Sequence, residues 1–197
     1  KKGDFVLRDQ LATFEQNLAK FVRAKYCIGT SSGTDALKLS YKALGLKPGD
    51  EVITVSHVFI APIQEIVHLG AKPVLIDVRE DGLMDPNLIE RAITKKTVGI
   101  VPVHLSGKVC DMTKIMAIAR KHKLWVVEDA CQALGAKHKG RFAGTFGDTG
   151  CFSHIAPKTL GAGGDGGSIV TNNKELGKKI SLLRNHWNIT QGVLHGH

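Results

Sequence analysis

The sequence has no apolar run close to the roughly 20 residues that a membrane-spanning helix needs. Its first residues, Lys1-Lys-Gly-Asp-Phe-Val6, do not form the long apolar segment of a signal peptide. The nine histidines include no HExxH pair. The four cysteines lack the spacing of a metal site: Cys27, Cys110, Cys131 and Cys151. These absences predict a cytoplasmic protein with reduced thiols and without a metal site or a membrane partner.

Acidic residues are also scarce, since 18 aspartates and glutamates face 27 lysines and arginines and leave a net charge of +9. The basic residues are scattered, and the sequence has no arginine-rich arm or basic patch interleaved with aromatics. This distribution favours a solvated basic face, or an anionic substrate, over a nucleic-acid partner. With 197 residues and 43% hydrophobic residues, the chain is typical of one globular α/β domain.

Short apolar segments alternate with segments of helical periodicity. The predicted strands are Glu51–Val55, Pro73–Val78, Gly99–Leu105, Leu124–Glu128, Thr149–Ser153 and Gly167–Thr171. Helices are predicted around Leu11–Val22, through Leu37, Tyr41 and Leu44, from Phe59 to Gly70, from a cap at Asp111 to His122, and through Leu176, Ile180 and Leu183. Apolar strands that alternate with helices indicate an α/β fold, a mostly parallel sheet covered on both sides. Ligands of such sheets bind at the carboxyl ends of the strands.

Lys158 stands just before a glycine-rich stretch, in the segment Ser153–Gly167. Asp129 follows the apolar residues Leu124–Val127. An amine and a carboxylate at neighbouring strand ends are the two groups that pyridoxal phosphate (PLP) needs, as an imine partner and as an anion for its ring nitrogen. Taken alone, a lysine beside a flexible loop is best interpreted as a surface residue. The other motifs of the chain favour the cofactor-binding role instead.

A strand-to-helix turn rich in glycine and hydroxyls spans residues 29–37. A helix that starts near Gly33 would present amide groups to a phosphate, and Thr34 would add a hydroxyl. The alternative is an ordinary helix cap. No Gly-Lys-Ser/Thr follows, so the turn is not a Walker loop. The later Gly161–Gly166 stretch matches a dinucleotide fingerprint by letter, but it leads into a predicted strand instead of a helix.

Three further residues are candidates with ordinary alternatives. Phe59 can stack on a pyridine ring, or it can be a core phenylalanine. Gln132 can bond the ring oxygen of a cofactor, or it can be a surface amide. Ser153 can be a second phosphate donor, or it can be a buried hydroxyl bonded to nearby backbone.

Several motifs in this order resemble the DegT/DnrJ group of nucleotide-sugar aminotransferases, which are PLP enzymes of fold type I. The motifs are Ser31–Leu37, Pro48–Ile53, Val101–Leu105, Glu128–Ala133, Gly144–Asp148, Lys158 with Gly164–Gly167, and Leu183–His186. The resemblance covers nearly the whole chain. It implies a three-layer α/β/α fold with a mostly parallel, seven-stranded sheet, and a homodimer active in the biosynthesis of polysaccharide or antibiotic sugars.

Carried over by position, the resemblance implies that Lys158 forms the imine bond to PLP and later moves a proton between substrate and cofactor. Asp129 would pair with the ring nitrogen, Gln132 would lie near the ring hydroxyl, and Phe59 would stack on the ring. The phosphate would be held by Gly33, Thr34, the backbone of Asp35, and Ser153. The implied reaction moves an amino group, usually from glutamate, to a keto group of a nucleotide-linked sugar.

Members of the group are about twice as long. We therefore expect residues 1–197 to be the PLP-binding large domain, truncated at both ends, without the C-terminal small domain and inactive alone. The chain departs from the group at Thr159, at Ser106-Gly-Lys108, at His154 and at Pro157. Two alternatives stay open: a sugar dehydratase, although such relatives carry histidine at the position of Lys158, and a non-catalytic regulator that binds PLP.

Overall fold

A computed structural model describes residues 9–185, in which strands and helices alternate. The strands are β1 (Tyr26–Thr30), β2 (Glu51–Val55), β3 (Lys72–Ile76), β4 (Thr97–Ile100), β5 (Trp125–Asp129), β6 (Lys137–His138), β7 (Arg141–Phe142), β8 (Thr149–Ser153) and β9 (Gly167–Thr171). The helices are α1 (Asp9–Val22), α2 (Gly33–Ala43), α3 (Ala61–His68), α4 (Pro86–Ala92), α5 (Met112–His122) and α6 (Lys174–Arg184). His186, the last residue of the predicted motif Leu183–His186, lies outside the described residues. No helix between residues 9 and 185 is long and apolar enough to cross a membrane.

Seven strands form one sheet in the order β1-β9-β8-β5-β4-β2-β3, and β6 pairs with β7 as a separate hairpin. The pairs from β3 to β8 are parallel, whereas β9 is antiparallel to both β8 and β1. Six strands therefore point one way and β9 points the other. This confirms the predicted mostly parallel, seven-stranded sheet, and it places the start of β9 at the carboxyl edge of its neighbours.

Helices cover both faces of this sheet. Val127 packs into a core with residues of α2, α3 and α6. Its neighbour Val126 points to the opposite face, where it packs with residues of α4 and α5, and α1 covers the same face near β1. Successive residues of a strand point to opposite faces, so apolar residues at both positions bury the sheet between two helical layers. The predicted three-layer α/β/α architecture is confirmed.

Three strands have the predicted bounds: Glu51–Val55, Thr149–Ser153 and Gly167–Thr171. The predicted strand Gly99–Leu105 is instead Thr97–Ile100, followed by a single bridge from Val103 to Asp129. Pro102 interrupts the regular ladder because proline has no amide hydrogen to donate. Its carbonyl still accepts a hydrogen bond from the amide of Asp129 (2.9 Å), which ties this segment to the end of β5.

The other boundary errors have local causes. The predicted Leu124–Glu128 is Trp125–Asp129, because the amide of Leu124 bonds the carbonyl of Ala119 and closes helix α5 (2.9 Å). The predicted Pro73–Val78 is Lys72–Ile76. Helix α4 was missed although Asp85 caps it by accepting from the amide of Asn87.

Candidate active site

A pocket of about 390 Å³ opens at the carboxyl edge of the sheet, between the start of α2, the ends of β5 and β8, and the loop before β9. We call it the sheet-edge pocket. Seven of the eight residues predicted for the site line it, and only Asp35 does not. The seven are Gly33, Thr34, Phe59, Asp129, Gln132, Ser153 and Lys158. Residues separated by more than 120 positions meet there because the crossovers return each strand end to the same edge. Sequence reasoning missed other lining residues, among them Ser32, Val103, His104, Cys131 and Asp165.

Asp129 ends β5 and is only 6% exposed. Its Oδ1 atom accepts a hydrogen bond from the amide of Cys131 (3.1 Å). Burial raises the pKa of Asp129, while the hydrogen bond from Cys131 and the charges of His104 and Lys158 act in the opposite direction. A buried carboxylate in this position is best stabilised by a cationic hydrogen-bond donor inside the pocket.

Lys158 lies on the loop between β8 and β9 and is half-buried at the wall of the sheet-edge pocket. Its amide donates to the carbonyl of Ile155 (2.9 Å), so the residue sits at the end of a tight turn. Lys158 and Asp129 line the same pocket, and the charge of Lys158 partly opposes the rise that burial causes in the pKa of Asp129. The pocket therefore combines a candidate nucleophile with a buried anion.

Gln132 has a defined orientation. Its Oε1 atom accepts a hydrogen bond from the amide of Ser106 (2.8 Å), so its NH₂ group is left to donate to a ligand. Ser106 has a φ of 53°, a left-handed conformation that a non-glycine residue adopts only under local constraint. The side-chain amide of Gln132 is thus held by this hydrogen bond, and it is not a freely solvated surface group. Nothing in the sequence indicated that Ser106 would make this contact.

Helix α2 begins at the pocket, as predicted, and Ser32 caps it. The Ser32 hydroxyl accepts from the amide of Asp35 (3.1 Å). The backbone of Asp35 is therefore already engaged, which argues against the phosphate contact expected for it. Within residues 9–185, the amides of Gly33 and Thr34 have no acceptor, and both residues line the pocket. Free amides at a helix start are suited to bind an anion, so the Ser32 cap does not exclude the predicted phosphate site.

Position 33 has no room for a side chain. A Cβ atom on Gly33 would lie 2.7 Å from the Sγ atom of Cys131 and 2.9 Å from the Cβ atom of Ser153. The first turn of α2 therefore approaches the ends of β5 and β8 more closely than any other residue would permit. Ser153, at the end of β8, consequently lies beside the free amides of the helix. No described residue bonds its hydroxyl, in contrast to the alternative of a hydroxyl bonded to nearby backbone.

Phe59 lies two residues before α3, so the prediction that it opens the helix is wrong. Its side chain is 68% exposed and stands at the rim of the sheet-edge pocket. The alternative of a core phenylalanine is therefore excluded. An exposed aromatic ring at a pocket rim is available to stack on a flat ligand.

The model of the DegT/DnrJ/EryC1/StrS aminotransferase family matches residues 1–191. The chain belongs to this family. Among its relatives, a UDP-N-acetyl-3-dehydro-alpha-D-glucosamine 3-aminotransferase of Acidithiobacillus ferrooxidans is 46% identical over 186 residues, which are 93% of this chain and 50% of the relative. A protein of Geobacillus stearothermophilus named a pleiotropic regulatory protein is 44% identical over 187 residues, 94% of this chain and 50% of the relative.

The solved structures include ntda from Bacillus subtilis with bound cofactor PMP. It matches with a TM-score of 0.84 and 41% identity over 89% of this chain and 40% of that chain. The chain thus spans about half the length of the curated relatives it matches.

This family member also has a buried polar cluster beneath the pocket, which sequence reasoning missed. Glu128 and His104 are both fully buried and lie 2.9 Å apart between Oε2 and Nε2. Burial opposes the charged ring, but hydrogen bonds with Cys110 and Glu128 and the charge of Glu128 raise the pKa of His104 to about 9. Glu128 accepts three more hydrogen bonds, from the amides of Gly144, Phe146 and Gly147. The sequence did contain one indication of this cluster: a glutamate at the end of a buried apolar strand needs hydrogen-bond partners.

Proposed function

We propose that the protein containing this chain is a PLP-dependent aminotransferase that moves an amino group, from glutamate, to a keto group of a nucleotide-linked sugar. We propose further that residues 1–197 form its cofactor-binding large domain. The observation that carries the proposal is the joint presence of Lys158, Asp129 and Gln132 in the sheet-edge pocket. Membership of the family and the 46% identity to a UDP-sugar aminotransferase support the substrate class.

The groups in the pocket fit PLP by their chemistry. PLP presents a reactive aldehyde, a basic ring nitrogen, a ring hydroxyl and a phosphate. The pocket offers an amine at Lys158, a buried carboxylate at Asp129 and an amide donor at Gln132. It also offers the amides of Gly33 and Thr34 for the phosphate, since neither amide has an acceptor among residues 9–185. Each polar group of the cofactor thus has a counterpart of the right kind.

When bound, PLP supplies an electron sink that stabilises the electron pair left by the removal of a proton from an adjacent carbon. Lys158 Nζ would hold the cofactor in a covalent bond that the amino donor can displace. The same Nζ atom would move a proton between the cofactor and the carbon that loses or gains the amino group. The position of Lys158 at the pocket wall suits this double role.

Asp129 and Gln132 act on the ring. With PLP bound, the Asp129 carboxylate would accept a hydrogen bond from the protonated ring nitrogen and so favour the positively charged ring. The same bond would offset the burial that disfavours the carboxylate. The Gln132 NH₂ group, oriented by the amide of Ser106, would donate to the ring oxygen. Phe59 would cover the ring from the open side of the pocket.

The phosphate would be held at the start of α2. The amides of Gly33 and Thr34, with the hydroxyls of Thr34 and Ser153, would donate to it, and the positive end of the helix dipole would add to the attraction. The missing side chain of Gly33 leaves the space that brings these donors together. The sugar and its nucleotide would then enter from the side of the pocket that Phe59 borders.

A second function is favoured by one observation, the 44% identity to a protein named a pleiotropic regulatory protein. A regulator would bind PLP or a nucleotide-sugar without turnover. The dehydratase alternative has less support, because Lys158 stands where such relatives carry histidine. Glutamate as donor and a homodimer are supported by the resemblance alone, and a cytoplasmic location stays a prediction from the sequence.

The test uses the full-length protein that contains this chain. PLP is added, the protein is reduced with borohydride, and the modified lysine is mapped by mass spectrometry. The protein is then given glutamate and nucleotide-linked keto-sugars, and 2-oxoglutarate is measured. We expect modification at Lys158, formation of 2-oxoglutarate, and loss of both in Lys158→Arg.

Lys20→Arg, at an exposed position on α1, is the matched control and should behave like the wild type. Modification scattered over surface lysines, or turnover by Lys158→Arg, would refute the proposal. Modification at Lys158 without 2-oxoglutarate from any keto-sugar tested would favour the regulator.

A further inference from the structure

The loop between β8 and β9 closes on one residue, His154. The amide of His154 donates to the carbonyl of Gly166 (2.7 Å), and its carbonyl accepts from the amide of Ala162 (2.7 Å). Lys158 lies inside the loop that these two hydrogen bonds close, in a stretch from residue 155 to 165 that is largely exposed. The backbone of His154 thus fixes both ends of the segment that carries the lysine.

The side chain of His154 adds a third bond to the same loop. It is 5% exposed, and its Nδ1 atom lies 3.1 Å from the carbonyl oxygen of Leu160. A carbonyl only accepts, so Nδ1 carries the hydrogen, and Nε2 of the neutral ring accepts from the Ser168 hydroxyl (2.8 Å). Burial lowers the pKa of His154, which favours this neutral form. Phe14 contacts the ring edge-to-face at 5.3 Å.

Within the described part of the chain, no other side chain hydrogen-bonds residues 155–165. The loop contains Gly161, Gly163 and Gly164, which resist ordering because glycine loses the most conformational freedom. Gly166 also packs against His154, since a Cβ atom there would lie 3.3 Å from the Cβ atom of His154. The order of the loop therefore depends on His154 more than on its own sequence.

We infer that His154 is a positioning residue, whose ring holds the carbonyl of Leu160 and thereby fixes the amine of Lys158 in the sheet-edge pocket. The inference rests on the proposed function, because a fixed amine matters to a lysine that bonds a cofactor and transfers protons. Small displacements of a reacting group lower rates strongly. His154 is also one of the positions at which the chain departs from the group it resembles.

The test compares two substitutions in the full-length protein. His154→Phe keeps an aromatic ring beside Phe14 and removes both ring hydrogen bonds. His154→Asn keeps a donor close to the position of Nδ1, and so it can still hold Leu160. His138→Phe is the matched control, since the His138 ring likewise hydrogen-bonds a neighbour, Thr113 (2.8 Å), and makes one edge contact with an aromatic ring.

Two readouts separate positioning from a general loss of structure. Hydrogen–deuterium exchange of residues 156–165 is measured on the cofactor-free protein, and the yield of borohydride trapping at Lys158 is measured at limiting PLP. One hydrogen bond is worth about threefold to tenfold in an equilibrium. We expect His154→Phe to raise loop exchange and lower the trapping yield by about that factor. We also expect kcat to fall by a larger factor than KM changes. In His154→Asn, loop exchange, trapping yield and kcat should return most of the way to their wild-type values.

Unchanged loop exchange in His154→Phe would overturn the inference, and so would equal losses in His154→Phe and His154→Asn. An equal rise of loop exchange in His138→Phe would overturn it as well. Failure of the wild type to be trapped at Lys158 would count against the proposed function instead. The exchange experiment on the cofactor-free protein would still decide whether His154 orders the loop. If His154→Phe does not fold, His154→Asn with a wild-type exchange pattern supports the inference, and a disordered loop in His154→Asn refutes it.

Discussion

Replacing Glu128 with glutamine tests whether the buried carboxylate joins the floor of the sheet-edge pocket to the loop after β7. The Oε2 atom accepts from the amide of Gly144 (2.8 Å) and from Nε2 of His104 (2.9 Å). The Oε1 atom accepts from the amides of Phe146 (2.6 Å) and Gly147 (2.7 Å). Glutamine keeps only one of these two oxygens.

The expected loss of stability follows from the number of donors, which is two for each oxygen. Whichever oxygen becomes an NH₂ group, the two groups that donated to it lose their acceptor in a fully buried site. A buried donor left without an acceptor costs about 1–3 kcal/mol, so Glu128→Gln should lower the free energy of unfolding by about 2–6 kcal/mol. This is a large share of the 5–15 kcal/mol, roughly, that stabilises a typical domain.

The assay is urea unfolding followed by circular dichroism. Glu65→Gln is the matched control, because Glu65 is also buried, at 4% exposure, but among residues 9–185 its Oε2 atom has no hydrogen-bond partner. Its Oε1 atom bonds only His68, which is largely exposed, so we expect a change below about 1 kcal/mol. If Glu128→Gln and Glu65→Gln lower the free energy of unfolding equally, with equal denaturant slopes, the structural role assigned to Glu128 is refuted.

Three more predictions concern the pocket and the loop between β8 and β9. In Gly33→Ala, the added methyl meets Cys131 and Ser153 below 3 Å, so we expect a loss of about 1–3 kcal/mol and weaker PLP binding in a titration; wild-type stability would contradict the close approach. Phe59→Ala should leave stability within about 0.5 kcal/mol, since the ring is exposed, and weaken PLP binding by up to about tenfold; unchanged affinity would argue against stacking. Burial lowers the pKa of His154 below 6.5, so the native state binds fewer protons than the unfolded state. Its contribution to stability is therefore complete above pH 6.5 and is lost below it, and His154→Phe should flatten the fall of the melting temperature on acidification; parallel curves would exclude this role.

Much of the fold could be read from the sequence because its strands are apolar at successive positions. Such strands must be buried on both faces, and the helical segments between them supply the two covering layers. The strands Glu51–Val55, Thr149–Ser153 and Gly167–Thr171 have the predicted bounds because glycine, proline or polar residues flank them. Where the ends differ, as at Pro102, the cause is a hydrogen bond or its absence, which periodicity does not report.

The sequence by itself also determined which residues are candidates, since each stands within a few residues of the end of a strand or the start of a helix. Only the tertiary structure decided how they are held. The amide of Ser106 orients Gln132, Glu128 binds the loop at residues 144–147, and the ring of His154 holds the carbonyl of Leu160. The first two contacts join residues far apart in the chain, and all three depend on which groups the crossovers and loop closures bring within 3 Å or so of each other. Local residue patterns encode burial and helix periodicity, but they do not encode these distances.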